Sequence, residues 1–258
     1  MPQRPYVLLS AAVSADGYID DAGLGRLVLS DAADLDRVDE VRAGADAILV
    51  GAGTIRADNP RLLVRSAARR VARAAAGRPA SPIRVTLTSR GGLDPAARFF
   101  TAEPGTAVEP ASMSPTASMT ETASITGTGG MTGTGGPCSG RGERIVYAAG
   151  PVASRVREQV GATGAVVADM GTGGLSWILA DLGERGVERV LVEGGASVLT
   201  GFLTAGLADE LQLMVAPFFV GGGVRLTREG TYPHGPANPM TLAQASRLGD
   251  GVLLRYLL

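Results

Sequence analysis

The sequence predicts one α/β domain, with a mostly parallel central sheet flanked by helices and an antiparallel hairpin at its C-terminal end. Short apolar runs closed by turn residues recur along the chain: Val7–Val13, Ala45–Val50, Ile83–Leu87, Arg144–Ala148 and Val190–Val192. Between them lie stretches with apolar residues at helical spacing, and this alternation implies parallel strands joined by right-handed crossovers. The last two runs, Met240–Leu248 and Val252–Leu257, are separated only by Gly249-Asp250-Gly251 and read as a hairpin.

The first strand is expected from Pro5 to Val13, ending in the turn signal Ser14-Ala15-Asp16-Gly17. Ser30-Asp31 can cap a helix running to about Arg42, with Leu35, Val38 and Val41 as its apolar stripe and Gly44 as its stop. The strand Ala45–Val50 follows, and Gly51 and Gly53 open a short helical turn that ends before Pro60. A basic, alanine-rich stretch, Arg65–Arg78, precedes the strand Ile83–Leu87. Beyond the insert described below come the strand Arg144–Ala148, a helix from Pro151 to about Val160, and a short strand at Ala165–Ala168. Leu175, Ile178, Leu179 and Leu182 mark one face of the next helix. A strand then runs into Glu193, followed by a helix from Ala196 to about Ala205 and the strand Glu210–Ala216.

The chain has 258 residues, a length that suits a single sizeable domain, interrupted by a low-complexity insert at about 101–142. That insert is rich in Thr, Ser, Gly, Met and Pro and has no hydrophobic period, so burial cannot offset the backbone entropy of ordering it, about 1–2 kcal/mol per residue. Disorder is expected there; a lid is the functional alternative. A net charge of −1 offers no basic footprint for nucleic acid or an anionic membrane. Nor is any apolar run long enough to cross a membrane, and a cytoplasmic protein is expected. One cysteine, Cys138, and one histidine, His234, leave no Cys- or His-based metal cluster, so no metal is expected.

Two strand-to-turn junctions carry the candidate chemistry. In Val190-Leu191-Val192-Glu193-Gly194-Gly195, a buried strand delivers a carboxylate and two glycines to the start of a helix, where backbone N–H groups can hold a phosphate. In Leu49-Val50-Gly51-Ala52-Gly53-Thr54 the same logic recurs, but Arg56 stands where a dinucleotide fingerprint needs its third glycine. Gly51 and Gly53 permit close backbone approach, and Thr54 offers a hydroxyl; a plain tight turn is the alternative. Downstream, Asp58 precedes two guanidinium groups four residues apart, Arg61 and Arg65, a set suited to ribose hydroxyls and a phosphate. Glu193 either caps the next helix or accepts hydrogen bonds from an N–H-rich ring. Gly221-Gly222-Gly223 reads as a loop. With no Ser-His-Asp set, the residues suit binding and alignment, as hydride transfer requires.

Five segments occur in a telling order: Arg4-Pro5-Tyr6-Val7 with Ser14-Ala15-Asp16-Gly17, Asp46–Thr54, Ala57-Asp58-Asn59-Pro60-Arg61-Leu62, Val192-Glu193-Gly194-Gly195, and Ala205–Leu211. Together they resemble the reductase domain of the riboflavin-pathway deaminase/reductase proteins, a branch of the dihydrofolate-reductase-like fold. The resemblance implies an NADPH-dependent oxidoreductase, a pyrimidine reductase acting on 5-amino-6-(5-phosphoribosylamino)uracil in riboflavin biosynthesis. It also implies a homodimer, with Leu211–Phe219 as contact surface, and no nucleic-acid or membrane partner. By the same resemblance, Ala12, Thr54, Asp58, Ser89, Gly194, Gly195, Ala196, Ser197 and Val198 contact the cofactor. Arg42, Arg61, Leu62, Arg65 and Glu193 contact the substrate, the arginines toward its phosphate and Glu193 toward its pyrimidine. Glu193 and Asp58 are the implied catalytic pair; Asp16 is a further candidate or a plain turn former. No deaminase segment is legible here, so a separate protein would deaminate the substrate, and Leu27–Ser30 lacks a tryptophan common in the family. Alternatives are a reductase of another heterocycle, such as a pterin, and a silent nucleotide-binding paralogue.

Overall fold

Buried residues alternating between two faces build a nine-stranded sheet in the computed structural model, which describes residues 4–21, 23, 27–101 and 143–258. The insert expected to be disordered falls almost wholly on 102–142 and lies outside the described residues. The strands are β1 (Tyr6–Ser14), β2 (Tyr18–Asp20), β3 (Ala47–Gly51), β4 (Ile83–Leu87), β5 (Arg144–Ala148) and β6 (Val166–Asp169). After them come β7 (Arg189–Gly194), β8 (Glu210–Ala216), β9 (Val224–Arg225), β10 (Thr241–Leu248) and β11 (Gly251–Leu257). The helices are α1 (Ala32–Gly44), α2 (Ala52–Asp58), α3 (Ala67–Ala75), α4 (Pro151–Val160), α5 (Gly174–Glu184) and α6 (Ala196–Thr204).

The sheet order is β10-β11-β8-β1-β7-β3-β4-β5-β6. Every pair from β8 through β6 is parallel, whereas β11 joins β8 and β10 joins β11 antiparallel, as the glycine-flanked hairpin predicts. The period of two sorts each strand. Val7, Leu9, Leu49 and Val192 face a core closed by Ile178, Leu179 and Leu182 of α5 and by Leu199 and Phe202 of α6. Leu8, Ile48, Val50 and Leu191 face the opposite core, with Ile55 of α2, Ala153, Val156 and Val160 of α4, and Phe99. Burial of each such large side chain contributes about 1.5–3 kcal/mol, so both layers hold the sheet.

Helix α1 departs from the expected apolar stripe. Asp31 does cap it, accepting from the Asp34 N–H at 2.8 Å, but the buried residues are Asp34 and Asp39, while Leu35 is 39 % exposed. Of the expected stripe Val38 and Val41 are half-buried, Val41 packing against the second core, and the buried carboxylates beside them are satisfied: Asp34 accepts from Ser30 Oγ at 2.5 Å and Arg37 Nε at 2.8 Å. Helix α3, within the basic stretch, is held in a similar way. Its buried Arg73 donates to the carbonyls of Pro79, Ala43 and Ala45, so guanidinium-to-carbonyl bonds replace an apolar stripe that periodicity would reveal. The β2–β9 pair, of three and two residues, is too short to leave a sequence period.

Candidate functional site

The two glycine junctions meet because β3 and β7 are neighbours in the sheet. Their register pairs Leu49 with Val192 and then Val50 with Gly194, so Glu193 is the extra residue of a β-bulge. A bulge bends and twists its strand and re-aims the side chain it carries. Glu193 is thereby turned onto α1, where Arg42 donates Nε to Oε1 at 2.6 Å and Nη2 to Oε2 at 2.5 Å. The side chains are 15 % and 10 % exposed, so the pair is nearly buried. Burial disfavours the charged guanidinium, but the charge and hydrogen bonds of Glu193 outweigh it and hold the Arg42 pKa above its ordinary value.

Glycine is required where the two helices begin. A Cβ on Gly51 would lie 2.9 Å from Val198 Cγ2, too close for the start of α6 to keep its place. Gly195 sits at φ +85°, and a Cβ there would lie 3.3 Å from Thr54 Oγ1, which puts the Thr54 hydroxyl against the Gly194-Gly195 turn. No side chain caps α6; its Val198 and Leu199 N–H groups turn back to the Gly195 carbonyl, and the helix start is free to meet an anion. Thr54 and Asp58, four residues apart on α2, share one face, with Thr54 half-buried and Asp58 exposed.

A strap of chain, residues 60–66, runs from α2 to α3 alongside α1. Leu62 is buried at φ +53°, an uncommon conformation for a branched residue. Its neighbours are fixed: Arg42 Nη1 donates to the Leu63 carbonyl at 3.2 Å, and the Val64 N–H donates to Ser81 Oγ at 3.1 Å. Arg61 is exposed, and the Arg65 guanidinium is half-exposed with Nη2 on the Leu35 carbonyl at 3.1 Å.

The expected residues therefore fall into two groups. Glu193, Arg42, Leu62 and Arg65 converge on α1 and the strap, while Thr54, Gly194, Gly195, Ala196, Ser197 and Val198 converge at the paired junctions. Ala12 is half-buried near the carboxyl end of β1, and Ser89 is exposed just past the end of β4, so both lie on the carboxyl edge of the same sheet. Asp16 accepts from Ser14 Oγ at 2.5 Å and from the Val220 and Gly221 N–H groups at 3.1 and 2.7 Å, clamping the glycine-rich loop. Sequence reasoning passed over Asp39. It accepts from the Arg65 and Ser66 N–H groups and from Arg69 Nη1, and a lone aspartate inside a charged helix carries no pattern that would single it out. Two open grooves at the amino edge, around Tyr6, Asp46, Arg78 and Arg189, are surface hollows; Arg78 pairs with Asp46 there and Arg189 lies over the Tyr6 ring.

The RibD C-terminal domain matches residues 5–126 and 138–254. The chain is 32 % identical over 219 residues to a 2,5-diamino-6-ribosylamino-4(3H)-pyrimidinone 5′-phosphate reductase of Archaeoglobus fulgidus, covering 85 % of this chain and 83 % of that one. It is 30 % identical to the protein of that name from Methanothermobacter thermautotrophicus, covering 98 % of each. Among solved structures, a pyrimidine reductase-like protein of Corynebacterium diphtheriae superposes with a TM-score of 0.73 at 20 % identity, over 98 % of this chain and 91 % of that one. RibD of Acinetobacter baumannii superposes with a TM-score of 0.70 at 22 % identity over 98 % of this chain, which spans 58 % of that longer polypeptide. The two structures share the fold, and the family profile with the two archaeal relatives settles membership: this chain belongs to the RibD C-terminal domain family.

Proposed function

We propose that the chain is an NADPH-dependent reductase of a 5′-phosphoribosylaminopyrimidine in riboflavin biosynthesis. The observation that carries this reading is the bulge at Glu193, which sets a carboxylate held by Arg42 beside two glycine junctions lined by Thr54 and the start of α6. The close approach of the two junctions that Gly51 and Gly195 permit, the Thr54 hydroxyl and the uncapped helix suit a dinucleotide phosphate. When bound, the nicotinamide would supply the hydride that turns C1′ of the ring-opened imine into the CH2 of the ribityl chain, with a proton from solvent taken up at the imine nitrogen.

The protein binds and aligns. Glu193 accepts from pyrimidine N–H groups through the lone pairs that Arg42 leaves free, since a carboxylate can accept about four hydrogen bonds. Arg42 orients Glu193, and Arg65 with Arg61 meets the substrate phosphate. Asp58, on the Thr54 face of α2, accepts from cofactor ribose, and Ala12 and Ser89 line the carboxyl edge on either side. We further propose a homodimer in the cytoplasm. Of the stretch expected at its interface, Leu211, Met214 and Ala216 are buried within the subunit, whereas Phe219 is 80 % exposed. Among the described residues no helix is long and apolar enough to cross a membrane.

The names of the two archaeal relatives favour a second form of the substrate, the 2,5-diamino-pyrimidinone, reduced before deamination. The test is NADPH oxidation by the purified chain with the diamino-pyrimidinone phosphate, the aminouracil phosphate and dihydrofolate, with product identified by mass. Faster turnover of the diamino compound places reduction first; faster turnover of the uracil places it second. Binding of NADPH with no turnover of either phosphoribosyl compound would sink the proposed activity.

A further inference from the structure

Asp39 is only 3 % exposed, yet it spends its carboxylate on the main chain of the strap rather than on a cation alone. Oδ1 accepts from the Arg65 N–H, and Oδ2 accepts from the Ser66 N–H at 3.0 Å and from Arg69 Nη1 at 3.1 Å. Two adjacent backbone donors aimed at one buried carboxylate fix the position of the Arg65 Cα and leave its side chain to reach outward. That guanidinium is 52 % exposed and meets α1 through the Leu35 carbonyl at 3.1 Å and, at the long distance of 4.0 Å, through Nε on Asp39 Oδ1.

Three residues along the same helix stands Arg42, which holds Glu193 with one side of its guanidinium and the Leu63 carbonyl with the other. Three residues of helix, about 4.5 Å of rise, thus carry both anchors. Just ahead of the two anchored points the strap passes through the left-handed Leu62, a conformation that persists only when the surroundings over-determine it. The result is a rigid spacing between a carboxylate at one end and an exposed guanidinium at the other.

We infer that Asp39 is a positioning residue that aims Arg65 at the substrate phosphate, at a distance from Glu193 set by the three-residue spacing of Asp39 and Arg42 on α1. This rests on the proposed reductase function. The competing account is that Asp39 merely ties α1 to α3, as Asp36 does through its own pair with Arg69 at 2.6 Å. The two accounts differ in what a substitution does to phosphate recognition.

Asp39→Asn keeps the shape but turns one acceptor into a donor that faces the Arg65, Ser66 or Arg69 donors. KM and kcat are measured for the phosphorylated pyrimidine and its dephosphorylated riboside. The expected result is a KM for the phosphorylated compound raised on the order of tenfold, the scale of one hydrogen bond to a charged group, with kcat and the riboside KM little changed. In an Arg65→Gln background Asp39→Asn is expected to add nothing further, since both act through one contact. Equal loss with both compounds, or multiplicative KM effects in the double variant, overturns the proposal. Titration with ribose 5-phosphate reads the phosphate arm without turnover: matched losses in D39N and R65Q support it, and full binding by D39N overturns it. A wild-type protein that turns over neither pyrimidine defeats the reductase reading, while this titration still decides the role of Asp39. Should D39N fail to fold, Asp39→Glu, which shifts the oxygens by one methylene, carries the same comparisons.

Discussion

Arg42 grips both carboxylate oxygens of Glu193, at 2.6 and 2.5 Å, across 151 residues of sequence. This bidentate pair joins α1, alongside which the strap runs, to the strand β7 that ends in the Gly194-Gly195 turn. Its near-burial gives it two consequences, one for stability and one for activity. In a dry setting the two charges tolerate each other only as a pair, so losing either leaves its partner stranded.

Glu193→Gln tests both consequences. The amide keeps the volume but leaves the Arg42 guanidinium buried without a counter-charge, a loss of ~3 kcal/mol in denaturant unfolding. The same change weakens the hold on the pyrimidine, and kcat/KM is expected to fall about 100-fold, equivalent to ~2.7 kcal/mol. A variant of normal stability and normal kcat/KM would show that the pair is neither a strut nor a substrate contact.

The glycines of the two junctions make separable predictions. Gly195→Ala forces an L-residue to φ +85° and presses a methyl toward Thr54 Oγ1, so it is expected to cost about 1–2 kcal/mol and to weaken NADPH binding. At Gly53, inside α2, a Cβ meets no atom within 4 Å, so Gly53→Ala stabilises by about 0.5–1 kcal/mol through helix propensity. Any fall in NADPH affinity for Gly53→Ala, read by fluorescence titration, then measures how closely the cofactor approaches that turn. Unchanged affinity in both variants would move the cofactor away from the junctions.

Much of this fold is legible because β1, β3 and β7 are covered on both faces, so their bounds follow from continuous apolar runs closed by turn residues, and the Gly249-Asp250-Gly251 signal marks the antiparallel C-terminal hairpin. The site is legible where chemistry demands a rare residue: glycines at 51 and 195, and a carboxylate closing an apolar strand. What stays hidden depends on charged groups satisfying one another. Asp34 and Asp39 are buried in α1 although its apolar residues sit at helical spacing, and α3 docks through Arg73 onto carbonyl oxygens. Such positions look like ordinary surface charges until their partners, up to 175 residues away for Arg37 and Gln212, are known. The pairing of Arg42 with Glu193 was hidden for the same reason, since each residue alone reads as a ligand contact.

Asp16 makes the acid limb of stability testable. The hydrogen bond from Ser14 Oγ, opposed by partial desolvation and reinforced by the Val220 and Gly221 N–H groups, lowers its pKa to about 2. A carboxylate depressed in the folded state contributes stability above its unfolded value near 4, and that contribution disappears as pH falls toward about 2. Unfolding followed from pH 5 to 2 is therefore expected to show a steeper decline for the wild type than for Asp16→Asn. Parallel curves would mean that the clamp on the glycine-rich loop does not titrate in this range.

Tyr6 governs the opposite limb. Its hydroxyl donates to Glu210 Oε2 at 2.8 Å, and Glu210 is itself 1 % exposed and held by Arg255 Nε at 2.6 Å and Gln212 Nε2 at 2.9 Å. Partial burial, then the hydrogen bond and charge of Glu210, raise the Tyr6 pKa to about 12. A group whose folded pKa is raised contributes stability that is whole below the unfolded value near 10 and is lost as pH climbs through about 12. The wild type is thus expected to lose stability between pH 10 and 12 more steeply than Tyr6→Phe, which has no proton to release. Absorbance at the phenolate band separates Tyr6 from the other four tyrosines by difference between the two proteins, and Tyr147, fully buried and donating to Asp181, ionises later still. Ionisation of Tyr6 near pH 10, with the two stability curves parallel, would show that its bond to Glu210 is not maintained in solution and that Arg255 and Gln212 hold Glu210 without it.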